Sequence, residues 1–445
     1  MQSHVRLDPF DQLMLADARR GYPMCFHMDC AGSGPLDKQR FAAAVQTAAL
    51  RHPRLRSRIA PGLFGSVWLP PDRDPSVEWI DADRSSAPDP WRPIDLRESS
   101  GVRFVGFGCE ASEWRIVMTV HHAVCDGLAG AEFWGDAWTA YHGAVPAPFT
   151  PGRTPRSSEP GPVGRAPGWL AACREFAALV PAPLRARDHT HQAAPGGKHG
   201  FPYATLHLDA QRTALLRAAA SDLGGTVNDA VLAATFGAAA EWNRRAGAGA
   251  GTRLRILMPA SLRAPGERRP AANCMSYAFL DRRLDECQRP AELLASLAAA
   301  SRWVQETGAA ARFLDALAIL ARLPGALRAA TRLPLCMSTV VASWVGNITR
   351  RMRAAVPVHD GRLAPGGVTL ESFNAAPPIR PGTGMALAMI AYADGLSISA
   401  LANRRRLGGD ADGRFLQLVD EHLETLVTVA AIRCRAPALA SPAGD

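Results

Sequence analysis

The sequence predicts an α/β protein built from two similar lobes, and three observations carry that expectation. Its 445 residues exceed what one hydrophobic core usually organises, so two domains are the starting point. A strand–helix–strand layout runs through the first half and restarts in the second. Between the halves, Pro146, Pro148, Pro151, Pro155, Pro160, Pro162 and Pro167 break up a stretch rich in Gly, Ser and Thr. That linker covers 143–167, and a second loose run follows a short helix at 169–179. The boundary falls near residue 190, giving an N-terminal lobe of 1–190 and a C-terminal lobe of 191–445.

The first half opens with an apolar run, residues 22–28, that reads as a strand. Pro35-Leu36-Asp37 then opens a helix with Phe41, Ala44, Val45, Ala48 and Ala49 on one face. Pro53 ends it. Short strands are expected near 67–69 and 103–107. Residues 113–120 form a longer strand, and Leu128, Ala131, Trp134, Trp138 and Tyr141 then recur at three- and four-residue steps, the period of a helix.

In the second half, residues 203–208 alternate as a strand and a helix covers about 210–222. Thr226 with Asp229 three residues on has the form of a capping box for an apolar helix ending near Arg244. Residues 254–263 read as a strand running into a turn, and strands follow from about 272 and at 339–347, the last with its turn. A β-meander spans 368–373, 385–392 and 396–402, and a final helix covers about 411–430. The helices in 291–330 include Phe313–Leu320, flanked by Arg312, Arg322, Arg328 and Arg332. A basic amphipathic helix suits a membrane surface; a core-facing helix with solvated arginines is the commoner arrangement and the one expected here.

Composition excludes several classes. Hydrophobic content of 47% is that of an ordinary globular chain. No uncharged apolar run reaches 18 residues, so no transmembrane helix and no membrane association are expected. The first six residues lack an apolar signal core, which argues against secretion. Nine scattered cysteines without a CxxC pair fit reduced thiols in a cytoplasm. The net charge of +9 rests almost wholly on arginine, Lys38 and Lys198 being the only lysines, and no nucleic-acid motif accompanies it. Such a surface would suit an anionic partner such as phosphopantetheine.

One stretch carries chemistry: Val120-His121-His122-Ala123-Val124-Cys125-Asp126-Gly127, an HHxxxDG run between a strand and a helix. Neutral imidazole, with an ordinary pKa of about 6.5, is suited to take a proton from an attacking hydroxyl or amine. Adjacent residues on extended chain point to opposite faces, so one histidine faces substrate and the other packs behind. Asp126 is placed to hold the loop through an ion pair, and Gly127 permits positive φ or a close backbone approach. Structural histidines and a chance metal pair are the plain alternatives. A metal site is not expected, because the spacing lacks the helical HExxH pattern and His189, His191 and His199 sit in loose chain.

The HHxxxDG run resembles the active-site motif of the condensation-domain and CoA-dependent acyltransferase superfamily. Supporting resemblances are Arg51-His52-Pro53 with Leu55-Arg56, the "TVND-x-VLA" wording at 226–233, a "P-x-x-x-R" pattern at Pro259–Arg263 and Ala272-Asn273, which resembles the "GN" element with Ala in place of Gly. A looser one is Thr339–Asn347, against the "SN-x-x-G" element of wax ester synthases. The resemblance implies a chloramphenicol-acetyltransferase-like fold, two lobes with a tunnel between them. It implies that His122 is the general base, that His121 gives structural support, and that Asp126 bonds a distant arginine, for which Arg263 is the candidate. A backbone N–H near Gly127 is the candidate oxyanion donor, and Cys125 is a bystander. No tightly bound cofactor is implied; acyl-CoA or acyl-phosphopantetheine is co-substrate, with a small alcohol or amine as acceptor and an acyl or peptidyl carrier protein as possible donor. The Pro93–Arg97 run and the absence of plant and wax-ester signatures favour a free-standing condensation-like enzyme of specialised metabolism. A wax ester or diacylglycerol acyltransferase and a non-catalytic binding module are the alternatives.

Overall fold

The computed structural model describes residues 5–62, 65–80, 89, 91–108, 112–150, 181–185 and 202–435. Most of the expected linker, the helix at 169–179, the boundary near 190 and His189, His191 and His199 lie outside them.

Two mixed sheets organise the chain. The first contains β1 (Cys25–Ser33), β2 (Ser76–Ile80), β3 (Val102–Phe107), β4 (Glu113–His121) and one strand from much later, β9 (Thr369–Ala376), in the order β9-β1-β4-β3-β2. The second contains β5 (Ala204–Leu208), β6 (Arg253–Ser261), β7 (Met275–Arg283), β8 (Val340–Asn347), β10 (Met385–Tyr392) and β11 (Gly395–Ala402), in the order β7-β6-β8-β10-β11-β5. Each sheet has parallel as well as antiparallel pairs. This mixed α/β architecture agrees with the expected fold class.

The sequence division at residue 190 does not divide the sheets. Strand β9 belongs to the second half of the chain but pairs antiparallel with β1, from Thr369↔Ser33 to Ala376↔His27. Its apolar residues Leu370, Phe373, Ala375 and Ala376 are buried, so it completes the first lobe's core rather than the second's. The 191–445 assignment is corrected on this point.

Strand β4 leads to the motif. It lies between β1 and β3, so both its edges are paired, and Ile116, Val117, Met118 and Val120, which point to both faces, are fully buried. After His121 the chain turns and enters α3 (Gly127–His142). Phe133, Trp134, Trp138 and Tyr141 bury that helix against β1, β3 and α2 (Lys38–Arg51). In the second lobe α5 (Val227–Arg245) begins with the expected capping box, Thr226 accepting from Asp229 N while Asp229 accepts from Thr226 N at 3.0 Å. It packs between α6 (Pro290–Thr307) and the terminal helix α9 (Ala411–Arg435).

The helix expected at Phe313–Leu320 meets the core along one side. In α7 (Ala311–Ala321) only Leu317 is buried, Phe313, Leu314 and Leu320 pack at the core's edge, and Ile319 is exposed. The flanking arginines Arg312, Arg322, Arg328 and Arg332 are all solvated.

Candidate active site at the junction of the two sheets

A cavity of about 690 Å³, counted to its open mouth, lies between the sheets. β1 supplies Phe26 and Met28, the second sheet Leu257, Tyr277 and Ser343, and the loop after β9 supplies Arg380. His122 and Gly127 lie on the same wall. The walls are otherwise mostly apolar, so a charge that develops there is poorly screened.

His122 sits in the turn that leaves β4. Phe26 stands edge-on to its ring at 5.3 Å between centroids, and Phe10 lies at 6.2 Å. Burial holds the imidazole below its ordinary pKa; its own carbonyl and the Asp126 charge pull the other way, while Arg380 adds to the lowering. The ring is therefore neutral near pH 7 and can accept a proton. Among the described residues, no partner reaches its buried Nδ1 in hydrogen-bonding geometry. His121 takes the opposite side, where Ala123 N donates to its Nδ1 at 3.2 Å. Burial, with His122 beside it, lowers His121 to about 4, which suits a packed and uncharged ring.

Asp126 is the N-cap of α3, accepting from Ala129 N at 2.9 Å. Its other oxygen accepts from Arg263 Nη1 at 2.9 Å and from Cys274 N at 2.7 Å. Both side chains of the ion pair are less than a tenth exposed. Arg263 also donates to the Ala272 carbonyl at 3.2 Å. Two residues 137 positions apart thus join the motif turn to the β6–β7 hairpin.

Of the two freedoms expected of Gly127, positive φ is not used: as the first residue of α3 it is not among the left-handed glycines. A Cβ there would meet nothing within 4 Å, so its missing side chain leaves the cavity open. Cys125 is fully buried, and burial together with the Asp126 charge keeps its thiol protonated. His52 is likewise buried, receiving Ala271 N at 2.9 Å on Nδ1 and lying 3.2 Å from Asp136 through Nε2.

Asn273 matters more than its sequence position suggested. Its amide nitrogen lies 2.9 Å from the His122 carbonyl, 3.2 Å from that of Ala123 and 2.9 Å from Asp11 Oδ1. It ties the turn carrying His122 to α1 (Pro9–Asp17) across the lobes. Asp11 is itself enclosed, accepting from Trp68 Nε1 at 3.2 Å and pairing with Arg54; burial and the nearby Asp8 push it up to about 8. The "GN"-like wording was the available sign of Asn273, but wording alone does not disclose three acceptors 150 or more residues away. His27 also lines the cavity; its Nδ1 lies 3.0 Å from Thr119 Oγ1, and burial lowers it to about 3. Among the described residues no group of three His, Cys, Asp or Glu side chains is arranged to hold a metal ion.

No protein-family model matches the chain. An uncharacterized protein of Mycobacterium tuberculosis, Rv2305, is 26% identical over 457 residues, spanning 96% of this chain and all of that one. Among solved structures, the starter condensation domain of rhizomide synthetase in complex with C8-CoA and Leu-SNAC superimposes with a TM-score of 0.63. It is 15% identical and covers 97% of this chain and 95% of that one. The trichothecene 15-O-acetyltransferase of Fusarium sporotrichioides gives a TM-score of 0.65 at 12% identity, over 95% of this chain and 94% of its own. Over nearly its whole length, this chain has the two-lobed, chloramphenicol-acetyltransferase-like fold of the condensation-domain and acyltransferase superfamily.

Proposed function

We propose that the protein is an acyltransferase of natural-product biosynthesis. It moves an acyl group from a thioester, of coenzyme A or of a carrier protein's phosphopantetheine, to a hydroxyl or amine and makes an ester or amide. The observation that carries the reading is a neutral, buried His122 on the wall of an apolar cavity between the lobes. A proton acceptor so placed suits general-base catalysis, worth roughly 10²–10⁴ in rate.

In this mechanism the acceptor's hydroxyl or amine gives its proton to His122 as its lone pair attacks the thioester carbonyl. The resulting oxyanion faces the start of α3, where the first amides have no partner within the helix; the Gly127 amide is the assigned donor. Collapse breaks the carbon–sulfur bond, and the departing thiolate takes the proton from His122. Asp126 and Arg263 hold the turn and touch no reacting atom. Cys125, buried and protonated, forms no acyl intermediate. The two solved relatives support the chemistry by their own contents, one holding C8-CoA and one being an O-acetyltransferase.

The test is thiol release from a panel of acyl-CoA and acyl-pantetheine thioesters with alcohol and amine acceptors, beside His122→Ala. Acceptor-dependent release by the wild type, reduced at least a hundredfold in a folded His122→Ala, is the expected outcome. Equal release by the two proteins refutes the assignment of His122.

A further inference from the structure

Arg380 is a permanent cation in a cavity wall that is otherwise mostly apolar. Its Nε pairs with Asp17 at the end of α1, its guanidinium lies over the Tyr277 ring at 5.7 Å, and Nη1 approaches Met337 Sδ at 3.7 Å. Nη2 is buried, and among the described residues it has no hydrogen-bond partner. A buried donor on a charged group is costly to leave unmet.

The backbone behind it is fixed. Asn403, itself buried, donates to the Pro381 and Thr383 carbonyls at 3.0 Å each, and Thr383 N donates to the Arg380 carbonyl at 3.1 Å. The loop and the Asp17 pair therefore hold the guanidinium in place, and little ordering remains for a ligand to bring about. The Arg380 charge reaches His122 and Tyr277, lowering the proton affinity of both. Arg380 and His122 thus act on the same enclosed space.

We propose that Arg380 anchors a carboxylate on the substrate through Nη2. A single guanidinium N–H still gives a carboxylate a charge-assisted hydrogen bond. The phosphates of coenzyme A fit less well, since they lie a pantetheine's length from the sulfur whereas Arg380 shares the cavity of His122. The apolar walls take the remainder of a hydrocarbon-bearing acid. The carboxylate belongs either to the acceptor, as in a hydroxy acid, or to the acyl group, as in a dicarboxylic thioester. The inference adds a substrate class to the proposed acyl transfer and rests on that reading for its role in turnover.

Calorimetric titration with decanoate and decanol tests the anchor without any chemistry. The wild type should bind decanoate about tenfold or more tighter than decanol, the scale of one charge-assisted hydrogen bond. Arg380→Gln should abolish the preference, and Arg380→Lys, which keeps the charge but not the Nη2 donor, should retain part of it. Should Arg380→Gln fail to fold, the Lys variant and the wild-type preference decide. No preference for decanoate in the wild type overturns the proposal, as does an undiminished preference in a folded Arg380→Gln.

Thiol release then locates the carboxylate. 3-Hydroxydecanoate is compared with its methyl ester as acceptor, and succinyl- with butyryl-pantetheine as donor. The arm whose KM ratio collapses in Arg380→Gln identifies the carboxylated substrate, and collapse in neither overturns the substrate assignment. Thiol release absent from every arm, with the decanoate preference intact, defeats the acyl-transfer reading and leaves the anchor standing.

Discussion

Replacing Asp126 by alanine removes three interactions at once, and their sizes can be added from the structure. The N-cap bond to Ala129 N is worth about 1 kcal/mol. The ion pair with Arg263 is almost fully buried, and removing one partner of such a pair costs about 3–5 kcal/mol because the other charge is left without compensation. Cys274 N loses its acceptor as well. From the cap and the ion pair alone a loss of about 4–6 kcal/mol is therefore expected, a large share of the roughly 5–15 kcal/mol that holds a folded domain. Urea unfolding followed by far-UV circular dichroism measures it. The informative comparison is a double-mutant cycle with Arg263→Met. Methionine removes the orphaned charge while keeping much of the volume, so Asp126→Ala/Arg263→Met should be more stable than the two single losses predict, by about 2 kcal/mol or more. Additive losses, or an Asp126→Ala cost below about 1 kcal/mol, refute the view that this pair holds the motif turn.

Other expectations concern the site itself. Burial lowers the His122 pKa, so the base stays unprotonated to lower pH than a free imidazole. The acidic limb of a kcat/KM profile should have its midpoint below about 6.5, and a midpoint above that value contradicts the burial argument. Asn273→Ala frees the carbonyls of His122 and Ala123; kcat in the thiol-release assay should fall tenfold or more with donor KM little changed. A fall confined to KM would mean that Asn273 shapes the binding site instead. At Gly127 there is room for a Cβ, so Gly127→Ala should fold normally, whereas Gly127→Trp should fill the cavity and block decanoate binding. Undiminished decanoate binding by a folded Gly127→Trp would show that the acid enters elsewhere.

Local features were the most legible in the sequence. The capping box at Thr226, the strand into His121 and the helix out of Gly127 depend on neighbours a few residues apart, and period and capping chemistry report such neighbours directly. Arg263 as the partner of Asp126 was reached through family resemblance, because spacing cannot select one arginine among so many. Asn273, Asp11 and Arg380 were harder still. Each acquires its place through contacts with chain more than a hundred residues away, and a polar residue carries no local sign of such a contact. The placement of β9 was illegible for a related reason. Alternating apolar residues announce a strand with a buried face, but not which sheet edge will receive it.

That exchanged strand sets a condition on how the protein is made. Until residues 369–376 leave the ribosome, β1 presents an open edge, and Ala375 and Ala376 are missing from the cavity wall. An unpaired edge invites association with other chains. Synthesis of roughly the first two hundred residues therefore yields a lobe with one unpaired edge, open to association with its copies until the late strand arrives.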